Sequence, residues 1–157
     1  AFDGHNIFLD AHATYGKAIH IQQHIEKLGI DMIVVGQECS HVGNNRLKEY
    51  APYSFYDPEY GSFEGQGEET MDFFVHELKP YVDDHYRTKK TRKNTFIGGS
   101  SCGGLMALYA AYAYSNVYSK GHCDFSLCIR KYGCDSERYP PKSYSKEHFY
   151  LSILGFK

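Results

Sequence analysis

The sequence predicts a three-layer α/β fold, in which helices cover both faces of a mostly parallel sheet. Short apolar runs that suit buried strands alternate with longer amphipathic segments that suit helices. The 157 residues are enough for one domain with its own core. In such a fold the loops that follow the strands lie along one edge of the sheet, so functional residues are expected there.

The first half of the chain contains one predicted helix and one predicted strand. Isoleucine and leucine recur on one helical stripe over residues 15–28, and Gly29 is typical of a helix end. The apolar run 32–35 ends at Gly36 and suits a strand that is buried on both faces. Residues 1–2 resemble the end of another strand, from which we expect upstream sequence to be missing.

A long segment separates this strand from the next helix. Residues 37–69 are rich in Gly, Asn, Tyr and Pro, and loops of this length are usually functional. Its rings would either line a pocket for an apolar acyl or aromatic group, or pack the loop onto the domain. The polar and aromatic residues concerned are Glu38, Ser40, His41, Asn44, Asn45, Arg46, Tyr50, Tyr53, Phe55, Tyr56, Tyr60 and Phe63.

The second half of the chain continues the alternation. Apolar residues over 71–82 predict an amphipathic helix that Pro80 would kink or end. Residues 95–97 predict a strand, residues 105–112 a helix and residues 123–129 a fourth strand. Strand and helix therefore alternate up to the tail of the chain.

Composition excludes several classes of protein. The 17 Lys and Arg nearly balance the 19 Asp and Glu, so no broad basic face for nucleic acid is expected. No apolar run approaches the roughly 20 residues of a membrane span. The 5 Cys form no CxxC and the 9 His form no HExxH, so no metal site is predicted. Free thiols suit a reducing, cytoplasmic location.

The candidate catalytic residues follow the strand predicted at 95–97. Residues 99–103 form GxSxG between a strand and a helix, the pattern of a nucleophile elbow. The central Ser101 would be the nucleophile, and the backbone N–H of Cys102 would be the first oxyanion donor. Three alternatives stay open, namely a plain glycine-rich turn, a phosphate cradle that lacks its usual lysine, and Cys102 itself as the nucleophile.

The second oxyanion donor is expected in the loop after an earlier strand. The turn at residues 3–6 fits that place, because Gly4 lets the backbone approach a bound ester. The N–H of His5 or Asn6 would then point into the site. The alternative is that His5 is a turn residue held by packing alone.

An ordered set of segments, which includes the GxSxG motif, resembles one family. These segments are residues 3–8, 35–39, 45–47, 49–50, 77–81, 86–87 and 98–104. The chain resembles the putative esterase family of α/β-hydrolases, which includes esterase D, enterochelin esterases and feruloyl esterases. Over about residues 1–120 the resemblance implies a serine hydrolase of small-molecule esters. It implies Ser101 as the nucleophile, and the amides of Cys102 and the His5 region as the oxyanion hole. Acyl transfer of this kind needs no cofactor.

Residues 121–157 do not resemble the family, so residues 1–157 are predicted to be a single partial domain, truncated at both ends. Asp135 and His148 are candidates for the acid and the base, but their separation is short for a strand, a helix and a return. Two functions therefore stay open, a serine esterase and a non-catalytic fragment or interaction module that lacks a complete triad. The oligomeric state is also open, and an exposed sheet edge could pair with a second copy.

Overall fold

A computed structural model describes residues 1–124, which form five α-helices and two short sheets. The tail predictions, including Asp135 and His148, lie outside these residues. Within the described part of the chain, no helix is long and apolar enough to cross a lipid bilayer.

The regular elements alternate as follows. The helices are α1 (Ile21–Leu28), α2 (Asn45–Glu49), α3 (Gly67–Asp72), α4 (Lys79–His85) and α5 (Cys102–Ala113). The strands are β1 (Phe55–Asp57), β2 (Gly61–Phe63), β3 (Phe96–Ser100) and β4 (Lys120–Asp124). Short 3-10 turns occur at Gly4–Asn6, Asp10–His12 and Arg92–Asn94, and a π-helical segment at Phe73–Leu78 joins α3 to α4.

The last described part of the fold is a β–α–β unit. Strands β3 and β4 pair in parallel, with Ile97 opposite Gly121, and α5 connects them. The helix lies close to β4, since a Cβ at Gly121 would be 2.5 Å from the Ala107 carbonyl oxygen. The predicted strand at 95–97 and helix at 105–112 are therefore confirmed.

Backbone hydrogen bonds extend this sheet beyond β3. The Phe2 N–H donates to the Gly98 carbonyl at 2.9 Å, and on the other side the Gln37 N–H donates to the Ala1 carbonyl at 2.9 Å. Residues 1–2 thus lie between β3 and the segment that ends at Gln37. After residues 1–2 the chain first adds the segment that ends at Gln37 on one side, and later adds β3 and β4 on the other side. This change of direction is a topological switch point, and it lies between residues 1–2 and β3.

Three predicted elements differ from the structure. Residues 32–35 form no regular strand, because only the carboxyl end of this segment pairs with a neighbour. The helix predicted at 15–28 begins only at Ile21, since Gly16 and His20 hold positive φ values of 67° and 53°. The fourth strand begins at Lys120 rather than at residue 123, because Lys120 lies opposite the first residue of β3.

The helical run at Pro80 continues through the proline rather than ending there. Proline lacks an N–H, and its ring clashes with the carbonyl four residues earlier. The wider π-helical turns at Phe73–Leu78 accommodate this clash, so α3, the π segment and α4 follow one another from Gly67 to His85.

The core forms where α5 packs against β3 and β4, and Phe74 of the π segment belongs to the same cluster. Small residues on α5 let the helix approach the sheet closely, and Met106, Ala107 and Ala110 are fully buried there. This packing fixes the start of α5 above the end of β3. The core consists of Phe2, Cys39, Tyr50, Met71, Phe74, Ile97, Met106, Ala107, Ala110 and Tyr118.

Candidate active site

Ser101 occupies a strained turn between β3 and α5. Its φ of 55° and ψ of −123° lie in a region that residues other than glycine rarely adopt. A Cβ at Gly99 would be 2.5 Å from the Gly103 carbonyl group, and a Cβ at Gly103 would be 2.9 Å from the Phe2 Cβ. Both outer positions of the GxSxG motif therefore require glycine. The Ser101 side chain is half-buried, and its Oγ lies 4.0 Å from Cys102 Sγ.

The two backbone amides predicted to form the oxyanion hole both lie in helical turns at this edge of the sheet. Cys102 is the first residue of α5, and His5 lies in the 3-10 turn Gly4–Asn6 that follows the first segment. Amides in the first turn of a helix have no acceptor within that helix, and the α5 dipole is positive at this end. The two turns touch, since a Cβ at Gly103 would be 2.9 Å from Asp3 Oδ2.

A buried ion pair holds the turn that contains His5. Asp3 adopts a left-handed conformation with φ 55° and is only 5% exposed. Arg46 donates from Nε to Asp3 Oδ1 at 2.8 Å and from Nη2 to Asp3 Oδ2 at 2.8 Å. These hydrogen bonds from Arg46 to Asp3 raise the pKa of the guanidinium above its ordinary value. The geometry is bidentate, which is the strong form of this pair.

Tyr50 completes the support beneath that turn. Its hydroxyl accepts a hydrogen bond from the Asp3 N–H at 3.1 Å and donates one to Gln37 Oε1 at 2.9 Å. Burial raises the pKa of Tyr50, so the hydroxyl stays neutral and can donate. The Arg46 guanidinium lies 5.2 Å from the ring centroid, within cation–π range.

Sequence reasoning placed Arg46 and Tyr50 only among the polar and aromatic residues of the long segment, and it did not predict their contacts with Asp3. A single sequence does not reveal which buried carboxylate an arginine meets. The signal that was present is their spacing of four residues, which puts both side chains on one face of a helical turn at α2.

The aromatic residues of the long segment divide between the core and the surface. Tyr50 and Phe63 are buried, and Phe55 stacks on Phe63 with ring centroids 5.0 Å apart. Tyr53 contacts Tyr109 of α5 edge to face at 5.8 Å and is 57% exposed. Packing therefore accounts for the first three rings, and a pocket wall stays a prediction for Tyr53.

The His5 side chain is buried away from bulk solvent. Its Nε2 lies 3.0 Å from Thr14 Oγ1 and 3.0 Å from Asn6 Nδ2. Its Nδ1 is buried and has no hydrogen-bond partner among the described residues. The His41 ring meets it edge to face, with centroids 4.8 Å apart, and Cys39 lies beside both rings.

Comparison with known proteins identifies a family. The family model described as Putative esterase matches residues 1–124. The chain belongs to this family. No curated protein and no solved structure shows a significant match to the chain. The resemblance predicted from the sequence is thus confirmed, and it supports a hydrolase of the esterase type with an α/β-hydrolase-like fold in broad terms.

Proposed function

We propose that the protein is a carboxylic ester hydrolase that acts through Ser101. The observation that carries this proposal is the strained turn at Ser101 between a parallel strand and a helix, in a chain of the esterase family. Glycine at 99 and 103 permits this turn, which lifts the hydroxyl to the carboxyl-terminal edge of the sheet. That edge next to the switch point is where ligands bind in open α/β sheets.

In this mechanism the Ser101 Oγ attacks the carbonyl carbon of the ester while its proton passes to a base. The carbonyl oxygen gains the negative charge, and the N–H groups of Cys102 and His5 donate hydrogen bonds to it. The alcohol leaves with the proton, and an acyl ester remains on Ser101. Water then attacks that ester, releases the carboxylic acid and restores the hydroxyl.

The base is proposed to come from residues after 124, where Asp135 and His148 are the candidates for acid and base. Serine is a very weak nucleophile without such a base, because it must lose its proton as it attacks. The substrate is proposed to be a small-molecule ester. The complete three-layer fold, the cytoplasmic location and the pairing of two copies stay predictions.

A fluorophosphonate probe tests the proposal, because it reacts covalently with an activated nucleophile and leaves an ordinary serine hydroxyl unmodified. We expect the parent protein to be labelled and Ser101→Ala to lose the label. The matched control is Ser119→Ala, since Ser119 is a partly exposed serine bonded to the Thr95 carbonyl at 3.3 Å. Hydrolysis of p-nitrophenyl acetate should follow the same order.

Peptide mass spectrometry then locates the label. A label on Ser101 supports the proposed nucleophile, whereas a label on Cys102 supports the alternative nucleophile. A folded parent protein that takes up no label would overturn the esterase and favour the non-catalytic module.

A further inference from the structure

We propose that His5, Cys39 and His41 form a binding site for a divalent transition-metal ion, for which zinc is the best chemical match. One ligand atom from each residue lies within 4.8 Å of the others. The two inner residues are buried and His41 is exposed, so an ion can enter from the solvent side. Two imidazole nitrogens and one thiolate are a donor set that zinc prefers.

The His5 ring presents a nitrogen that lacks a partner. Its Nδ1 is buried with no hydrogen-bond partner among residues 1–124, and the whole residue is 9% exposed. On the other side of the ring, Nε2 lies 3.0 Å from Thr14 Oγ1. Nε2 also lies 3.0 Å from Asn6 Nδ2, the donor side of an amide whose oxygen accepts the Thr14 N–H. Metal binding at Nδ1 therefore requires the tautomer in which the Nε2–H donates to Thr14 Oγ1 and the Asn6 amide turns away from the ring. An ion would therefore satisfy a buried polar atom that is costly to leave unpaired.

The His41 ring is oriented by a carboxylate, as is usual for histidines that bind metal ions. Its Nε2 lies 2.8 Å from Glu38 Oε1, within hydrogen-bond distance. A carboxylate on one ring nitrogen orients a histidine and increases the basicity of the other nitrogen. His41 Nδ1 is thus the atom proposed to face the ion.

Cys39 supplies the sulfur. The residue is 5% exposed and its sulfur lies within 4.8 Å of a ligand nitrogen on each histidine. Binding replaces the Sγ–H bond with a bond from the sulfur to the metal, and the proton leaves to the solvent. A bound cation stabilises the thiolate that burial alone disfavours.

Only a small movement is needed to close the site. Bonds of about 2.0–2.3 Å to a tetrahedral ion put ligand atoms closer together than the present 4.8 Å limit. The exposed His41 ring can make up the difference, and a water molecule can take the fourth position. Because the ligands come from two separate loops, their spacing in the sequence did not predict a metal site.

Metal titration of the full chain tests the proposal. The chain is first stripped with a chelator, and Zn²⁺ is then added in competition with a chromophoric chelator. In a parallel sample Co²⁺ is added instead of Zn²⁺. A thiolate bound to tetrahedral Co²⁺ gives a charge-transfer absorption band, which reports directly on the cysteine ligand. We expect Cys39→Ser to lose that band and one equivalent of bound zinc, and His41→Ala to lose the same equivalent. Glu38→Gln should weaken binding by about 10-fold, because the carboxylate that orients the His41 ring is lost.

His76→Ala is the matched control. His76 is also exposed and also lies beside a carboxylate, at 2.7 Å from Asp72 Oδ1, but it is not part of the cluster. Its zinc stoichiometry should equal that of the parent. The proposal is overturned if Cys39→Ser and His41→Ala bind as much zinc as His76→Ala. His41 is 59% exposed, so its replacement keeps the test valid even if Cys39→Ser does not fold.

Discussion

Arg46→Met is expected to destabilise the protein more than Asp3→Asn, although both changes break the same ion pair. The Asp3 side chain is 7% exposed, whereas that of Arg46 is 30% exposed. Removal of Arg46 leaves a buried carboxylate without its partner, and such a loss costs about 3–5 kcal/mol. Because the arginine retains some contact with water, we expect the lower end, about 3 kcal/mol.

The converse change leaves a charge that can be hydrated. In Asp3→Asn the guanidinium keeps its partial exposure, and the amide oxygen still accepts one hydrogen bond, so we expect a loss of about 1–2 kcal/mol. The double variant no longer buries a lone carboxylate. Its loss should therefore be smaller than the sum of the single losses, by about 2 kcal/mol.

Urea unfolding followed by far-UV circular dichroism measures these differences. The control is Lys90→Met, which breaks a pair whose side chains are 58% and 71% exposed and should cost less than about 1 kcal/mol. The reasoning fails if Arg46→Met costs no more than Lys90→Met. It also fails if Asp3→Asn proves the more damaging of the two single changes.

Three further changes test other parts of the structure. Gly99→Ala should cost about 3 kcal/mol in urea unfolding, because its Cβ would be 2.5 Å from the Gly103 backbone. Gly43→Ala has free space and φ 52°, so it should cost only about 1 kcal/mol; equal losses would contradict the steric argument. Tyr50→Phe should cost about 1–2 kcal/mol, because the Asp3 N–H and Gln37 Oε1 lose their partner; an unchanged midpoint would refute this. Burial raises the pKa of Tyr118 above 10.0, so stability should be full below pH 10 and fall above it. Unfolding curves of Tyr118→Phe should show a smaller fall, and an identical fall would exclude this residue as a source.

The sequence predicted the structure best where neighbouring residues alone determine the backbone conformation. The turn at Ser101 needs only glycine at 99 and 103 between a short strand and a helix, so the motif together with its predicted strand and helix indicated this geometry. The end of α1 at Gly29 was equally local, since φ 62° there favours glycine.

Contacts between distant segments could not be predicted in the same way. Asp3 and Arg46 are 43 positions apart, and nothing in either local pattern indicates their pairing. Residues 32–35 are apolar enough for a strand, but hydrogen bonding with a neighbour decides whether one forms. The cluster of His5, Cys39 and His41 likewise depends on how two loops meet.

The two strained turns of the site are parts of one packing arrangement. Asp3 and Ser101 both have φ near 55°. The two turns pack against each other, because a Cβ at Gly103 would be 2.9 Å from Asp3 Oδ2. Aspartate tolerates a left-handed conformation, whereas serine at ψ −123° needs surroundings that over-determine it. Arg46 holds the Asp3 turn in place beside Ser101, because both of its hydrogen bonds are donated to the Asp3 carboxylate.

Loss of Arg46 should therefore affect the Ser101 turn indirectly, through the Asp3 turn that lies between them. We expect Arg46→Met to slow fluorophosphonate labelling under conditions where circular dichroism shows the variant to be fully folded. Lys90→Met, at an exposed pair, should label at the parent rate. Equal rates for the two variants would mean that the strain at Ser101 is held by Gly99, Gly103 and α5 alone. The buried ion pair would then serve stability and not the proposed nucleophile.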